Sequence, residues 1–508
     1  MANAASYFVD RHVAEGRGGK VAFREVGTGR SLTYGALAEA SGRAAAAFLA
    51  VDVRPEERVA MLVLDQIEFP VLFWGALKAG VIPVPLNTLL ATPIYDAILR
   101  DSRASMLIVS EPLWDVVAPV LEGNPHLRRV VVIGAARDGA ETYDDFMAGG
   151  RAPVQPFDAR DDETAFWLYS SGSTGQPKGV HHVHSALRAT ADTYGAQVLQ
   201  VREDDVVFSA AKFFFAYGLG NAMTFPMSVG ATVVIFGGRP TPEAMVQVIA
   251  DEQPTVFCGV PTLYAAMVAH MEANGAPDAP LRTCISAGEA LPEDVGLRWE
   301  ALTGVPILDG VGSTEMLHIF LSNAPGDVVY GTSGVPVPGY EVRLVDEAGA
   351  EVGTGEVGEL LVNGASAAGG YWNRRDKTRD TFEGVWTRTG DKYERREDGR
   401  YVYCGRTDDM FKVSGIWVSP FEVEQAITSH VSVLECAVVA AKDADGLEKP
   451  KAFVVPHGER PEGLEELLKD HVKERVGKWK YPRWVECVES LPKTATGKIQ
   501  RFKLREDV

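Results

Sequence analysis

The segment from Tyr169 to His184, YSSGSTGQPKGVHHVH, collects small residues, hydroxyl groups and one lysine in a single run. It follows an apolar segment that is typical of a strand, and the sequence predicts that it leads into a helix beginning near His184. In such a loop the backbone N–H groups can surround an anion, and the charge of Lys178 adds to their attraction. The residues that offer these groups are Ser170, Ser171, Gly172, Ser173, Thr174 and Gly175. The chemistry predicted here is therefore the binding of phosphate groups, as in a nucleoside triphosphate.

The loop differs from the usual P-loop pattern at two positions. Gly172 and Lys178 have the offset of GxxxxGK[ST], but Pro177 replaces the second glycine and Gly179 replaces the residue with the metal-binding hydroxyl. Serine and threonine hydroxyls in the loop can replace some of the backbone donors. A surface loop without a ligand is the alternative interpretation.

Length and composition bound the elements that can position this loop. A chain of 508 residues predicts roughly three structural units of about 100 to 200 residues each. Its 46% hydrophobic and 23% charged residues are typical of a globular protein with a large core. The formal net charge of −19 argues against a general surface for nucleic acid. The 5 cysteines show no CxxC spacing, which argues against a zinc site or a disulfide framework.

The pattern of apolar residues predicts the order of the elements. From Val59 onward, VAMLVL, IEFPVLFWGALKAG and VIPVPL read as the strand, helix and strand of a parallel-sheet crossover, and similar units recur over roughly the first 300 residues. After about Val311, alternating runs punctuated by glycine predict a β-rich subdomain. The fold class is therefore α/β: a large N-terminal domain, residues 1–407, of parallel α/β subdomains plus the β-rich subdomain, and a small C-terminal α+β domain, residues 408–508. We place the hinge between them near Asp408.

The sequence shows no obvious membrane segment. MANAASYFVDRHVAEGRGGK at the N-terminus lacks the apolar core of a signal peptide, and the most apolar stretch is interrupted by Gly75, Lys78, Gly80 and prolines. We therefore expect a cytoplasmic protein without a membrane partner.

Several motifs in one order carry a family resemblance. YSSGSTGQPKGV closely resembles the signature loop of the adenylate-forming ligases, the superfamily of acyl- and aryl-CoA synthetases, peptide-synthetase adenylation domains and firefly luciferase. SAGEALP at Ser286, GVGSTE ending at Glu315, TGD ending at Asp391, GRTDDMFKVSG at Gly405 and LPKTATGKIQR near the end match further motifs of that superfamily. The resemblance covers nearly the whole chain.

The resemblance implies ATP, Mg²⁺ and coenzyme A as cofactors and assigns residues to them. The loop and Lys178 should hold the β- and γ-phosphates, Thr174 and Glu315 should hold Mg²⁺, and Asp391 should bind the ribose hydroxyls. Arg406 should supply donors to the nucleotide. The resemblance assigns four more residues to cofactor binding: Gly288, Asp309, Gly310 and Thr314.

The resemblance also implies a two-step reaction with a moving domain. The lysine that matches Lys498 bridges the substrate carboxylate and the α-phosphate, where it stabilises charge while an acyl-adenylate and pyrophosphate form. Rotation of the C-terminal domain about Asp408 should then replace Lys498 by the KVSG segment. Its small residues Ser414 and Gly415 leave room for a pantetheine arm.

Two segments should choose the carboxylic acid. KFFFAYGLGN lacks the aspartate that pairs with the ammonium group in amino-acid-activating relatives, which disfavours an amino-acid substrate. FFAYGLGN and GSTEMLHIFLSN resemble the benzoate-CoA ligase group, which implies a short, flat pocket for a small aromatic acid. The pocket residues would be Ala216, Tyr217, Gly218, Leu219, His318 and Ile319. A plain core-packing role for Leu219 and Ile319 stays open.

Two other patterns resemble sites but are interpreted as structural. GTGEVG, with Gly353, Gly355 and Gly358, has the spacing of a dinucleotide-binding loop, but it leads into the strand-like ELLVNG and fits a hairpin turn. His181, His182 and His184 have no cysteine or carboxylate nearby at ligand spacing, and we assign them to the connection between strand and helix.

The sequence therefore predicts an acid-thiol ligase that converts benzoate, ATP and CoA to benzoyl-CoA, AMP and pyrophosphate through a benzoyl-adenylate. The alternatives are a ligase for another substituted benzoate or a short acyl group, a free-standing enzyme that loads an aryl acid onto a carrier protein, and an inactive nucleotide-binding protein. A homodimer, and a lysine acetyltransferase and deacetylase acting on Lys498, are further hypotheses about partners.

Overall fold

The structure is a computed structural model that describes residues 2–171, 177–407, 409–413, 416–443, 447–458, 460–477, 480–493 and 499–506. In the first 150 residues the main feature is a parallel sheet of five strands in the order β4-β3-β5-β6-β7. The strands of this part are β1 Val21–Glu25, β2 Ser31–Thr33, β3 Arg58–Leu62, β4 Ile82–Pro85, β5 Met106–Ser110, β6 Arg129–Ile133 and β7 Glu141–Thr142. The helices are α1 Arg11–Ala14, α2 Tyr34–Ala50, α3 Glu68–Lys78, α4 Thr92–Ser102, α5 Trp114–Val117 and α6 Tyr143–Gly149.

Local sequence signals explain these elements. Helix α2 begins after Thr33, whose hydroxyl accepts a hydrogen bond from the N–H of Ala36, as expected for a helix cap. Helix α3 is buried along its whole length because its sequence, EFPVLFWGALK, is apolar on almost every face. Every residue of β5 is buried, which is typical of a parallel strand covered on both faces. The strand, helix and strand predicted from Val59 are β3, α3 and β4.

A second, larger sheet has nine strands in the order β16-β15-β14-β13-β12-β10-β11-β1-β2. The strands of this part are β8 Thr164–Ser171, β9 Pro177–Val183, β10 Val206–Ser209, β11 Thr232–Ile235, β12 Val256–Gly259, β13 Thr283–Ser286, β14 Ile307–Gly312, β15 Ile319–Ser322 and β16 Val335–Pro336. The helices are α7 His184–Thr190, α8 Ala216–Leu219, α9 Phe225–Val229, α10 Pro242–Glu252, α11 Pro261–Asn274 and α12 Glu293–Thr303. Strands β10 to β14 pair in parallel, so their carboxyl ends meet at one edge, where ligands bind in open α/β sheets.

The candidate phosphate loop joins two antiparallel strands, β8 and β9, which pair Ser170 with Lys178. Helix α7 begins at His184 as predicted, and β9 lies between the loop and this helix. The strand forms because the side chains of PKGVHHV pack on β8, where His181 stacks on Trp167 with 4.5 Å between ring centroids.

The β-rich part predicted after Val311 is present. A five-stranded sheet pairs β17, β18, β21 and β20 in that order, with β22 on β21, and β19 pairs with β9. The elements are β17 Glu341–Val345, β18 Val357–Asn363, β19 Gly370–Tyr371, α13 Arg375–Thr381, β20 Phe382–Glu383, β21 Trp386–Arg395 and β22 Tyr401–Arg406. The GTGEVG segment leads into β18, which contains its last two residues and pairs antiparallel with β17, so its interpretation as hairpin punctuation is confirmed.

From Phe411 onward the chain packs around its own two hydrophobic clusters, whose members all lie in this last part. The elements are β23 Phe411–Val413, β24 Ile416–Val418, α14 Pro420–Thr428, β25 Val433–Lys442, β26 Glu448–Pro456, α15 Leu464–Val476, β27 Trp484–Cys487 and α16 Arg501–Glu506. The predicted α/β fold with an additional α+β part is confirmed. Among the described residues, no helix is long and apolar enough to cross a membrane.

Candidate active site

The candidate phosphate-binding region is built around Lys178 on β9. Its ammonium lies 4.6 Å from the ring centroid of Tyr371, which is carried by the neighbouring strand β19. Burial lowers the pKa of Lys178, and the negative charge of Glu315 opposes that shift. The lysine is therefore half-buried and directed toward a carboxylate that sequence reasoning assigned to a metal ion.

Glu315 follows the carboxyl end of β14 and is held at two points. The hydroxyl of Tyr371 donates a hydrogen bond to Glu315 Oε1 at 2.7 Å, and the N–H of Ala368 donates to its backbone oxygen at 2.8 Å. No group of three or more histidine, cysteine, aspartate or glutamate side chains could hold a metal ion in the described part of the chain. A single hard carboxylate fits Mg²⁺, which commonly takes one or two protein carboxylates together with nucleotide phosphates.

Asp391 and Arg406 are directly paired across strands β21 and β22. Arg406 Nη1 donates to Asp391 Oδ1 at 2.9 Å and to the carbonyl oxygen of Thr389 at 3.0 Å. Gly390 has φ +71, and a Cβ there would lie 2.9 Å from Arg406 Nη2. Gly390 lies in β21 where the pairing with β18 shifts register, and a glycine there permits both the positive φ and the close approach of the guanidinium.

Strands β13 and β14 bring the other nucleotide candidates to the same edge. Asp309 is buried and accepts a hydrogen bond from the N–H of Leu291 at 3.4 Å, and burial raises its pKa to about 8. Gly310 has no room for a side chain, since a Cβ would lie 2.8 Å from the carbonyl oxygen of Leu321. Gly288 has φ +101 and faces open space. Thr314 lies next to Glu315, and its carbonyl accepts from Leu317 N–H at 3.1 Å.

The aryl-pocket candidates Tyr217 and His318 contact each other. Tyr217 is the second residue of α8, and its hydroxyl donates toward the carbonyl oxygens of Gly259 at 3.0 Å and Ile285 at 3.1 Å. The imidazole of His318 is 3% exposed, and its Nε2 lies 3.3 Å from the carbonyl oxygen of Tyr217. Burial lowers the pKa of His318 to about 3, so the ring is neutral at physiological pH.

Aromatic rings surround this neutral imidazole. The ring centroids of Tyr217, Tyr194 and Phe225 lie 5.7, 5.2 and 4.5 Å from that of His318. Tyr194, Phe225 and His318 are buried and Tyr217 is half-buried, so these rings form an apolar and uncharged cluster, an environment that suits an aromatic ring. Ala216 is half-buried beside this cluster.

The remaining pocket candidates are tightly packed. Leu219 and Ile319 are both buried in the largest hydrophobic cluster of the chain, where they have the core-packing role left open from the sequence. A Cβ on Gly218 would lie 2.0 Å from the carbonyl oxygen of Lys212. A Cβ on Gly220 would lie 2.4 Å from His318 Cδ2, so His318 can occupy its position only because residue 220 is glycine.

The three histidines after the loop have structural contacts. His182 is buried and stacks on Phe166 with 5.0 Å between ring centroids, and burial lowers its pKa to about 3. His181 stacks on Trp167, and Nδ1 of His184 accepts from the N–H of Ala4 at 3.2 Å. His181 and His182 belong to β9 and His184 opens α7, in agreement with the sequence interpretation.

Some predicted site residues lie outside the described part of the chain. They are Gly172, Ser173, Thr174, Gly175, Asp408, Ser414, Gly415 and Lys498. Ser171 is described as the last residue of β8, and Ser170 precedes it.

Sequence reasoning missed Tyr371, Gly220 and Gly390. Tyr371 contacts Glu315 across 56 residues of sequence, and a tyrosine among GGYWN carries no signal of its own for a charged site. Gly220 could have been noticed only by knowing which ring it faces. Gly390 lies inside the TGD motif, where a positive φ could have been anticipated.

Known proteins are similar to this chain over nearly its whole length. Residues 10–372 match the AMP-binding enzyme family, and residues 422–498 match the AMP-binding enzyme C-terminal domain. A 4-hydroxybenzoate–CoA/benzoate–CoA ligase of Rhodopseudomonas palustris is 52% identical over 99% of this chain and 94% of that protein. A benzoate–CoA ligase of Thauera aromatica is also 52% identical, over 99% of this chain and 95% of its own length. The crystal structure of a benzoate CoA ligase from Burkholderia xenovorans has a TM-score of 0.91 and 48% identity, covering 99% of this chain and 100% of that one.

Proposed function

Because this chain belongs to the AMP-binding enzyme family, we propose that it is an ATP-dependent ligase that joins benzoate to coenzyme A. Two relatives that are 52% identical over nearly the full chain, and whose names include benzoate–CoA ligase, support this substrate. The observation that carries the proposal is the neutral ring of His318, walled by aromatic side chains and only three residues after the carboxylate of Glu315. The segment from Glu315 to His318 would thus contact the aromatic ring directly and the nucleotide phosphates through Mg²⁺.

In the first half-reaction a benzoate oxygen attacks the α-phosphorus of ATP, and the bond to the pyrophosphate oxygen breaks, which gives benzoyl-adenylate and pyrophosphate. The loop of residues 170–175 and Lys178 hold the β- and γ-phosphates, and Asp391 accepts hydrogen bonds from the ribose hydroxyls. Lys498 stabilises the charge that develops at the α-phosphate. Mg²⁺, when bound, neutralises phosphate charge, and Glu315 and Thr174 would hold it.

In the second half-reaction the thiolate of CoA attacks the benzoyl carbonyl carbon, and AMP leaves with the electron pair of the broken C–O bond. We propose that residues 1–407 and 408–508 are separate domains and that rotation about Asp408 brings Ser414 and Gly415 to the pantetheine path. The separate hydrophobic clusters after Phe411 support a domain that can turn as one body. The homodimer, the cytoplasmic location and the acetylation of Lys498 stay predictions.

The experiment that tests the proposal separates the two half-reactions. Benzoate-dependent exchange of labelled pyrophosphate into ATP, measured without CoA, reports the adenylate, and mass spectrometry after addition of CoA reports benzoyl-CoA and AMP. We expect both signals. Exchange without benzoyl-CoA, together with transfer to a carrier-protein pantetheine, would instead identify a carrier-loading enzyme, and no exchange with any aryl acid would contradict the proposal.

A further inference from the structure

We propose that Tyr371 is a positioning residue of the first half-reaction, a spacer that fixes Glu315 and Lys178 in place while it keeps their charges apart. This inference rests on the proposed function, since it assigns Glu315 to the metal ion and Lys178 to the phosphates. Two contacts on different parts of one tyrosine carry it.

The first contact is made by the hydroxyl group. It donates its single O–H to Glu315 Oε1 at 2.7 Å, and this bond restricts the positions that the carboxylate can take. The bond uses Oε1, so the second oxygen of Glu315 is left to bind a cation. A carboxylate whose motion is already restricted loses less conformational freedom when it binds a metal ion.

The second contact is made by the face of the ring. The ammonium of Lys178 lies 4.6 Å from the ring centroid, within the range of a cation–π interaction. Lys178 and Glu315 therefore contact the face and the hydroxyl edge of the same side chain. No ion pair within 4.0 Å joins Lys178 to Glu315, both of which the structure describes.

The separation matters because a direct ion pair would neutralise both charges. Lys178 paired with Glu315 would offer less attraction to a phosphate, and Glu315 less attraction to Mg²⁺, so ATP binding would first have to break the pair. With Lys178 on the ring face and Glu315 on the hydroxyl of Tyr371, the two charges are held near each other without a direct ion pair.

Tyr371 is itself held by the fold. Its N–H donates to the hydroxyl oxygen of Thr378 at 3.1 Å, and its ring lies 5.6 Å from that of Phe382. Strand β19 pairs Tyr371 with Val180 of β9, two residues after Lys178. The next residue, Trp372, donates from Nε1 to the carbonyl oxygen of Asp101 at 2.8 Å. Tyr371 therefore lies in a strand that is held by these contacts, β19, and this strand pairs with β9, which carries Lys178.

Two substitutions separate the contributions of the hydroxyl and the ring. Tyr371→Phe keeps the ring under Lys178 and removes the bond to Glu315, so the Mg²⁺ concentration that half-saturates ATP binding should rise about tenfold, the lower end expected for a hydrogen bond to a charged group. Tyr371→Leu removes the spacer as well, and the Kd for ATP at saturating Mg²⁺ should also rise, by about fivefold or more.

The measurement is calorimetric titration of ATP into each variant over a series of Mg²⁺ concentrations, together with the two half-reactions and the Tm. The matched control is Tyr330→Phe, which removes another tyrosine–glutamate hydrogen bond, to exposed Glu300 at 3.1 Å, together with the bond that the hydroxyl accepts from the N–H of Ile307 at 3.2 Å. We expect the control to bind Mg²⁺ and ATP as the unsubstituted protein does. Consumption of pre-formed benzoyl-adenylate by CoA should be unchanged in Tyr371→Phe.

The outcomes distinguish this inference from the proposed function. If Tyr371→Phe has an unchanged Mg²⁺ dependence, or if both half-reactions and the Tm fall together, Tyr371 is not a positioning residue. If the unsubstituted protein forms no benzoyl-adenylate but the Mg²⁺ dependence of ATP binding shifts as expected, the proposed substrate is wrong and the spacer stands.

Discussion

The proposed nucleotide region and the proposed aryl pocket are adjacent along the chain at Glu315 and His318, but different interactions hold their side chains in place. In the nucleotide region, charged side chains are already oriented by partners, as Asp391 is by Arg406 and Glu315 is by Tyr371. In the aryl pocket, His318 is neutral and is positioned by surrounding rings and by the absence of a side chain on Gly220. Removing a charge from the nucleotide region should therefore weaken ATP binding and slow adenylation. Changing the volume of a side chain in the pocket should instead change which acid is bound and how tightly.

Lys498→Ala should have the largest effect and act on the charged region alone. Benzoate-dependent pyrophosphate exchange should fall about 10²- to 10³-fold, the range seen when one group that stabilises a transition-state charge is removed. Consumption of pre-formed benzoyl-adenylate by CoA should be retained. The control is Lys503→Ala, which removes an exposed lysine of α16. Equal exchange in the Lys498 variant and the control would remove Lys498 from the mechanism.

Asp391→Asn should have a smaller effect of the same kind. The substitution keeps the shape but weakens the acceptor for the ribose hydroxyls and for Arg406, so kcat/KM for ATP should fall about 10- to 100-fold. The KM for benzoate should change by no more than about twofold. Substitutions at sites that share no contacts affect binding independently, and Asp391 is assigned to the ribose and not to the acid. Steady-state kinetics with each substrate varied would check this, with Asp398→Asn on the exposed turn of the same hairpin as the control. A change confined to benzoate would contradict the division between the two regions.

Gly220→Ala tests the pocket by volume. The added Cβ would lie 2.4 Å from His318 Cδ2, so the imidazole has to shift, at a cost of about 1 to 3 kcal/mol for overpacking. The KM for benzoate should rise about tenfold while the Kd for ATP is unchanged. Gly19→Ala is the control, because a Cβ there meets no atom within 4 Å. An unchanged KM for benzoate would mean that His318 does not shape the pocket.

The smallest expected effect is that of pH on the KM for benzoate. His318 has its pKa lowered by burial from 6.5 to about 3, so between pH 6 and 8 it stays neutral and its charge does not change. Because the folded pKa is below the unfolded one, the group destabilises the fold only as the pH falls below about 6.5, where the unfolded chain binds the proton. The KM for benzoate should therefore show no step near pH 6.5. Such a step, absent in His318→Gln, would show that the pocket is charged after all.

The sequence named most residues of the candidate nucleotide region, but fewer of the contacts in the candidate pocket. Lys178, Glu315, Asp391 and Arg406 lie in motifs whose chemistry is local, and the α/β order follows from apolar periodicity. The strand between the phosphate loop and α7 was not predicted, because its pairing with β8 and the stacking of His181 on Trp167 are tertiary contacts.

The contacts that sequence reasoning missed are long-range. Tyr371 reaches Glu315 across 56 residues, and Gly220 faces His318 across 98, a distance in sequence that no local pattern encodes. For Leu219 and Ile319 the motif predicted a place in the pocket, and the structure shows both side chains buried in the hydrophobic core. The role of a glycine or an apolar side chain depends on what it touches, which the fold alone determines.

The most direct test of the account is CoA-dependent AMP formation from ATP with a panel of acids. The panel contains benzoate, benzoates substituted at each ring position, cinnamate, cyclohexanecarboxylate, a medium-chain fatty acid and phenylalanine. We expect turnover confined to benzoate and analogues with small substituents, because the rings packed around His318 are uncharged and leave little room for a longer group. Faster turnover of cinnamate or the fatty acid would contradict the assignment of these rings to a benzoate pocket.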